Sequence, residues 1–147
     1  LTDLFSTVGE IIGVKVPSGS SEDSVSFLPA LSGEKIKSTR KGLIHHSISG
    51  HFAYRMGKWK LLLAKASGGW SSPKENQVKA GAPRAQLYDM EQDIGEQENL
   101  YENEPEIASA MLLQLERDVR RGRSMDGPKS KNDIAEIELW KSSSNKD

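Results

Sequence analysis

The chain has 147 residues, a formal net charge of -1, 35% hydrophobic and 28% charged residues, and no cysteine. This length suits one domain of ordinary size, and so small a net charge gives no general attraction to nucleic acid or to an anionic membrane surface. The lack of cysteine excludes disulfides, thiolate metal ligands and a cysteine nucleophile, and no apolar run approaches the roughly 20 residues of a transmembrane helix. The sequence begins without a methionine, so we expect a chain that starts within a longer protein.

An amphipathic helix is predicted at the start of the chain. Thr2 or Asp3 is placed to cap it, and Gly13 is placed to end it. Its apolar residues fall on one face at helical spacing and need a partner surface: Leu4, Phe5, Val8, Ile11 and Ile12. The following residues, 15–41, are predicted to be connecting segments, with one short apolar piece at 26–33.

Residues 43–70 predict three short antiparallel strands joined by tight turns. In the segments 52–56 and 59–64, large apolar side chains recur at every second position, which is the pattern typical of strands. Between them stand Gly57 and Lys58, a pair that suits a two-residue type II′ hairpin turn.

The connectivity of this meander predicts a candidate site at one edge of the sheet. In an up-down-up arrangement the turn at 47–51 and the loop at 65–73 lie at the same edge. That edge carries a Gly-Gly-Trp-Ser loop and all three histidines of the chain: His45, His46 and His51.

The predicted hairpin also brings two like charges together. With Gly57 and Lys58 in the turn, Arg55 lies opposite Lys60, which is destabilising unless an acid is close. We therefore expect Asp89 or Glu91 beside this pair, and we expect neutralising Arg55 to cost stability.

The second half of the chain predicts a fourth strand and a helix. Residues 86–90 have strand character, and the helix starts at Asn103 or Glu104 with Pro105 at its first position. Its predicted buried face consists of Ile107, Met111, Leu112, Leu115 and Val119. The segment 134–140 alternates like an edge strand, and 142–147 is expected to be disordered. The fold class is thus α+β, a small four-stranded antiparallel sheet with a C-terminal helix.

The histidines allow three interpretations. His45 and His46 are adjacent on a strand and point to opposite faces, which disfavours a shared metal ion. No HExxH pair and no cluster of acids and histidines accompanies them. Packing or hydrogen bonding near the sheet edge and polar contacts with a ligand both stay open.

Trp70 and the lysines also have two interpretations each. Trp70 in SGGWSSP is placed either to stack on a ring or sugar or to fold back onto the sheet. Lys58, Lys60 and Lys65 resemble a basic strip, although solvated lysines are the default. No nucleophile elbow, phosphate-binding glycine loop or dinucleotide fingerprint is found.

Four segments resemble, in order, the C-terminal part of the type I sulfatases, the arylsulfatase family of the alkaline phosphatase superfamily. Residues 3–13 (DLFSTVGEIIG) are similar to the DLFPT helix of the family, and 23–31 (DSVSFLPAL) to its D-G-x-S-x-L-P-L segment. Residues 52–61 (FAYRMGKWKL) resemble F-A-x-R-x-G-x-W-K-L. Residues 87–100 (LYDMEQDIGEQENL) resemble L-Y-D-L-x-x-D-P-G-E-x-x-N-L, with Ile94 in place of proline.

The resemblance implies a hydrolase of sulfuric esters from which the reactive part is missing. In this family a formylglycine made within a C/S-x-P-x-R motif attacks the ester beside a calcium ion, in an N-terminal α/β domain. This chain has no such motif, so the resemblance implies no catalytic residue, no metal site and no cofactor here. Calcium and formylglycine are expected in the complete enzyme, which by family resemblance is periplasmic, secreted or lysosomal.

The resemblance also implies a division of the chain and a role for it. Residues 1–41 correspond to the end of the α/β domain, 42–127 to the C-terminal subdomain and 128–147 to a tail. The expected partners are the N-terminal sulfatase catalytic domain and a sulfated small molecule or glycan, with no nucleic acid and no membrane. The subdomain is expected to shape the substrate pocket, with substrate contacts from His46, His51, Trp70 and Ser71.

A second hypothesis stays open beside the first. The chain is then a stand-alone binding or assembly module, which binds a sulfated ligand or joins a separate catalytic chain. A basic patch for such a ligand is offered only by 35–41 and 58–65.

Overall fold

The computed structural model describes residues 1–17 and 19–141, which divide into two compact units. Of the described residues, the first unit comprises those in 1–41 and 117–135, and the second, called the sheet unit below, comprises those in 42–116 and 136–141. No helix in the described ranges has the length and apolar character needed to cross a bilayer. The described elements are, in order, α1 (Leu4–Ile11), α2 (Leu28–Leu31), β1 (Leu43–His46), β2 (Phe52–Met56), β3 (Trp59–Leu62), a 3₁₀ turn (Glu75–Gln77), β4 (Gln86–Asp89) and α3 (Pro105–Arg121).

The predicted N-terminal helix is present, and its apolar face is open to solvent. The helix α1 ends at Ile11, shortly before Gly13, whose φ of 69° is the left-handed conformation that suits a helix end. The exposed fractions of its apolar residues lie between 44% and 64%: Leu4, Phe5, Val8, Ile11 and Ile12. The side chains predicted to need a partner surface therefore find none in the described chain.

Asp3 occupies the N-cap position of α1, but the predicted capping by its side chain is wrong. Its two carboxylate oxygens accept hydrogen bonds from both Nη atoms of Arg40 at 2.6 and 2.8 Å, and one also accepts from the backbone N–H of Val25. The Arg40 hydrogen bond is the main cause that lowers the pKa of the Asp3 carboxyl. A bidentate guanidinium pair is stronger than a cap hydrogen bond and engages the carboxylate first.

The sheet is the predicted four-stranded antiparallel meander, with the strands in sequence order. Gly57 has a φ of 57°, as the first residue of a type II′ turn requires. The ladder aligns Ile44, Tyr54, Leu61 and Leu87 in one row across all four strands. Of these, Tyr54, Leu61 and Leu87 are fully buried, so this row marks the core face of the sheet.

Residues 105–116 of the predicted C-terminal helix belong to the sheet unit. The helix α3 begins at Pro105, as predicted. Met111 and Leu115 are fully buried, Ala108 is 4% exposed, and the other predicted positions, Ile107, Leu112 and Val119, are half-buried. The helical spacing of apolar residues thus located the buried face correctly.

Arg55 does lie opposite Lys60, but the predicted acidic neighbour is wrong. Lys60 Nζ pairs with Glu96 Oε1 at 2.5 Å, whereas Asp89 pairs with Lys58 at the same distance. Asp89 is aligned with Trp59, on the core face of the sheet, whereas Lys60 is on the opposite face. Alternation along β4 therefore directs Asp89 away from the arginine, and the acid comes from the following loop instead.

The predicted edge strand at 134–140 is wrong, since no residue of this segment is in a strand. The segment is held instead at its end, where the Trp140 ring lies 3.5 Å from the guanidinium carbon of Arg84. A cation–π contact fixes one side chain without requiring ladder hydrogen bonds. The prediction for 142–147 lies outside the described residues, and the division at residues 41, 127 and 128 stays a prediction.

Replacing the acid beside Lys60 should destabilise the sheet. Glu96→Gln leaves Lys60 unneutralised opposite Arg55, so we expect the free energy of unfolding to fall by about 0.5–1 kcal/mol in a urea titration. Glu98→Gln, the same change of charge two residues later, is the control and should have a smaller effect. Arg55→Gln should cost less in the Glu96→Gln background than in the wild type. Undiminished stability of Glu96→Gln would contradict this account.

The Lys58–Asp89 pair should make stability depend on acidity. The hydrogen bond from Lys58 is the main cause that lowers the pKa of Asp89 below its ordinary 3.8. The ion pair therefore stabilises the folded state fully above about pH 4, and this stabilisation is lost as the pH falls through the lowered pKa of Asp89 in the folded state. We expect Asp89→Asn to flatten the decline in melting temperature between about pH 4 and pH 2, whereas Asp133→Asn, at an exposed position, should follow the wild type.

Candidate functional site

The face of the sheet opposite the core carries an open groove of about 950 Å³ that lies wholly within the sheet unit. Two rows of side chains form its floor: His45, Ala53, Leu62 and Gln86, and then Arg55, Lys60 and Tyr88. Three loop segments form its walls, at residues 46–51, 65–73 and 95–97. The floor is thus made of regular strands and the walls are made of loops, which is a common plan for ligand sites.

The lining of the groove carries more positive than negative side chains. Arg55, Lys60 and Lys65 line it together with the three histidines, and Glu96 is the one acidic residue among them. Lys60 is engaged by Glu96, while Arg55 donates from Nε to the carbonyl of Gly57 at 2.8 Å. A chain of net charge -1 therefore has a local surface suited to an anion.

Tyr88 lies beside the acidic end of the groove. Its hydroxyl donates to Gln86 Oε1 at 2.5 Å. Burial, and then the charges of Glu96 and Asp93, raise the pKa of the Tyr88 hydroxyl. The phenol therefore stays neutral and serves as a hydrogen-bonding group rather than as a base.

His45 and His46 point to opposite sides of the strand, as predicted. His45 belongs to the groove floor, whereas the ring of His46 meets the ring of Phe52 edge-on, with centroids 4.2 Å apart. Burial, and then the charge of Lys141, lower the pKa of His46. His46 still lines the groove, and at neutral pH it does so as an uncharged imidazole.

His51 is fixed in place at the predicted sheet edge. Its backbone N–H donates to Ser47 Oγ at 3.0 Å, and its ring Nδ1 lies 3.1 Å from the carbonyl oxygen of Leu63. Gly68, with a φ of 66°, brings the next loop so close that an added Cβ would meet the Cβ of His51 at 3.2 Å. The turn at 47–51 and the loop at 65–73 do lie at one edge of the sheet.

The loop after β3 is held by hydrogen bonds from its own side chains and from Gln86 of β4. Glu75 accepts from the backbone N–H groups of Lys65 and Ala66. Gln86 donates to the carbonyls of Ala64 and Ala66, and Lys74 donates to the carbonyls of Gly69 and Trp70. A loop held by this many hydrogen bonds presents its tip in a defined position.

The four predicted contact residues do not all lie together. His46, His51 and Ser71 line the groove, whereas Trp70 is absent from the lining and is 81% exposed at the loop tip. The interpretation in which Trp70 folds back onto the sheet is therefore wrong. The ring stands beside the groove, attached to a braced loop.

Sequence reasoning missed the side chains of the groove floor. Lys60 was considered as part of a basic strip and, with Arg55, as a repulsive pair, whereas Gln86 and Tyr88 were not considered as site residues. The alternation of the strands could have indicated them, because all four residues lie on the same face of the sheet as Ala53 once the register is known.

The described residues do not contain a cluster suited to a metal ion. No group of three or more histidine, aspartate or glutamate side chains comes together in the part of the chain that the structure describes.

Comparison with known proteins gives matches among solved structures. No protein-family model and no curated protein matches the chain. A Bacteroides thetaiotaomicron protein labelled 6S-sulf, from work on the metabolism of multiple glycosaminoglycans, is 22% identical with a TM-score of 0.59 over 78% of this chain and 24% of that chain. A protein from strain VPI-5482 described as a sulfatase is 22% identical with a TM-score of 0.59 over 83% of this chain and 25% of that chain.

A third structure, solved with its substrate D-glucosamine-2-N,6-O-disulfate, is 21% identical with a TM-score of 0.54, over 78% of this chain and 22% of that chain. The chain therefore spans about a quarter of the length of the first two structures. Identities this low establish the fold alone. This chain has a fold that recurs in part of solved sulfatases, in agreement with the resemblance of its sequence to the C-terminal part of that family.

Proposed function

We propose that this chain is the part of a sulfatase that shapes the substrate pocket and binds the organic portion of a sulfated ligand. The observation that carries this proposal is the groove on the open face of the sheet, where the lining contains three lysine or arginine residues, three histidines and one carboxylate. An anionic ligand is attracted to such a surface even though the whole chain is slightly negative.

A sulfated sugar is the ligand class that fits the composition of the groove. Lysine and arginine side chains suit the sulfate, while Gln86, Tyr88 and Ser71 supply hydrogen-bonding groups for hydroxyls. Trp70, exposed beside the groove, supplies a flat apolar face of the kind that stacks on a sugar ring. The substrate of one structural neighbour, D-glucosamine-2-N,6-O-disulfate, belongs to this class.

The proposed partner is the N-terminal catalytic domain of a sulfatase. The exposed apolar face of α1 supports this proposal, because a row of five large apolar side chains on one short helix calls for a covering surface. In this proposal the partner supplies the formylglycine nucleophile and the calcium ion, as the resemblance to the sulfatases implies.

A second candidate function is a stand-alone binding module for a sulfated ligand. One observation favours it: the groove is complete within the sheet unit and needs no residue from another domain to close its floor. The two candidates differ in whether the chain carries out its role alone, and both require the groove to bind a sulfated ligand.

The 147-residue chain should bind glucosamine-2-N,6-O-disulfate in preference to unsulfated glucosamine. We expect a dissociation constant on the order of 1 mM, because a single open wall offers few contacts. Amide shifts in an NMR titration should change mainly at 45–55 and 65–73. Affinity should fall as salt rises from 50 to 300 mM, since the groove charges are accessible to ions.

Lys65→Gln and Lys131→Gln form the matched pair for this titration. Each removes one positive charge, but only Lys65 lines the groove. We expect Lys65→Gln to weaken binding of the disulfate about two- to fivefold and Lys131→Gln to leave it unchanged. Equal binding of sulfated and unsulfated sugar by a chain that unfolds cooperatively would refute the proposed function.

Removing Trp70 should weaken binding without affecting the fold. The Trp70 side chain is 81% exposed, so Trp70→Ala should leave the melting temperature within about 1 °C of the wild type. Loss of the stacking face should weaken binding of the disulfate about three- to tenfold in the same NMR titration. A large drop in melting temperature, with affinity intact, would instead assign Trp70 a structural role.

A further inference from the structure

The hydrogen bond between His51 and Leu63 determines which nitrogen of the imidazole carries the proton. Nδ1 lies 3.1 Å from the carbonyl oxygen of Leu63. A carbonyl oxygen only accepts hydrogen bonds, so Nδ1 must be the donor. In the neutral ring the other nitrogen, Nε2, then has a lone pair and no hydrogen.

One of the two ring nitrogens of His51 is engaged by this hydrogen bond. His51 is half-buried, and within the described chain Nδ1 is the ring nitrogen that makes a hydrogen bond. Nε2 is the ring nitrogen that this hydrogen bond leaves for another partner, and His51 lines the groove.

The chemical character of this atom differs from that of its neighbours. Arg55, Lys60 and Lys65 only donate hydrogen bonds, and they suit sulfate oxygens, which only accept. A neutral Nε2 presents a lone pair, which repels a sulfate oxygen and attracts a hydroxyl or an N–H group. The groove therefore contains an acceptor beside its donors.

We propose that His51 is a hydrogen-bond acceptor of the groove, receiving a hydroxyl or N–H group of the ligand through Nε2 while the lysine and arginine side chains hold the sulfate. This inference rests on the proposed function and narrows it. The ligand carries a hydrogen-bond donor close to its sulfate group, as a sulfated sugar does, and His51 selects for that donor.

The position of the ring is built into the fold. The backbone of His51 is tied to Ser47, and the close approach of Gly68 leaves little room for the ring to turn. The Leu63 carbonyl belongs to the residue that follows β3, so the same strand that forms the groove floor also sets the tautomer. An acceptor held in this way loses little conformational freedom when a ligand binds.

The tautomer is tested first, without any ligand. Long-range ¹H–¹⁵N NMR of the chain at pH 8, above the usual titration range of imidazoles, should show a protonated Nδ1 and an unprotonated Nε2 for His51. His51→Asn identifies its signals by their disappearance. A protonated Nε2 in the neutral ring would overturn the inference.

Binding is tested with two probes at the same pH. His51→Asn retains a donor for the Leu63 carbonyl but has no atom at the Nε2 position. Its affinity for glucosamine-2-N,6-O-disulfate should therefore fall about three- to tenfold. Inorganic sulfate carries no donor at pH 8 and gains nothing from Nε2, so its affinity should not fall in the variant. His51→Gln, which places an amide oxygen near the Nε2 position, should restore part of the lost sugar affinity.

The outcomes separate this inference from the proposed function. If the wild-type chain and His51→Asn bind the disulfate equally well, the inference is wrong and the proposed function stands. The same holds if His51→Asn lowers the affinity for inorganic sulfate as much as the affinity for the sugar. If the wild-type chain binds the sugar no better than unsulfated glucosamine, the proposed function fails, and the assignment of a ligand to Nε2 fails with it.

Discussion

The two-residue turn at Gly57 and Lys58 fixes the register of the central hairpin, and that register decides which side chains reach the groove. With Met56 opposite Trp59, every second residue of β2 and β3 points to the core, and the others point to the open face. A slip of one residue would place Tyr54 and Leu61 in solvent and the two cations in the core. The burial of apolar side chains therefore holds the charged floor in position.

The cost of this arrangement is a row that contains Arg55 and Lys60 side by side. Glu96 offsets the repulsion from a loop outside the ladder, and it does so with a φ of 54°, which a non-glycine residue adopts only at some energetic cost. One acid neutralises one of the two cations, so the groove keeps a positive balance. Stability and anion attraction are thus set by the same three side chains.

The sequence was a good guide to local and periodic features and a poor guide to side-chain partners. Alternation located the strands, the spacing of Met111 and Leu115 located the buried face of α3, and connectivity placed His51 beside the loop after β3. The alternating segment at 134–140 forms no strand, because alternation does not reveal whether a ladder partner is available. Likewise, Asp3 and Asp89 pair with cationic side chains that are distant in sequence, and rules based on neighbouring residues do not predict such contacts.

The composition of the groove ties the fold to a particular kind of ligand. A surface made only of lysine and arginine would bind any anion, including free sulfate, with little discrimination. Placing a fixed acceptor, His51 Nε2, at the edge of such a surface penalises a bare anion at that position, because two acceptors cannot share a hydrogen. Selectivity then comes from a repulsive element as much as from attraction. The hydrogen bond to the Leu63 carbonyl is what makes His51 such an element.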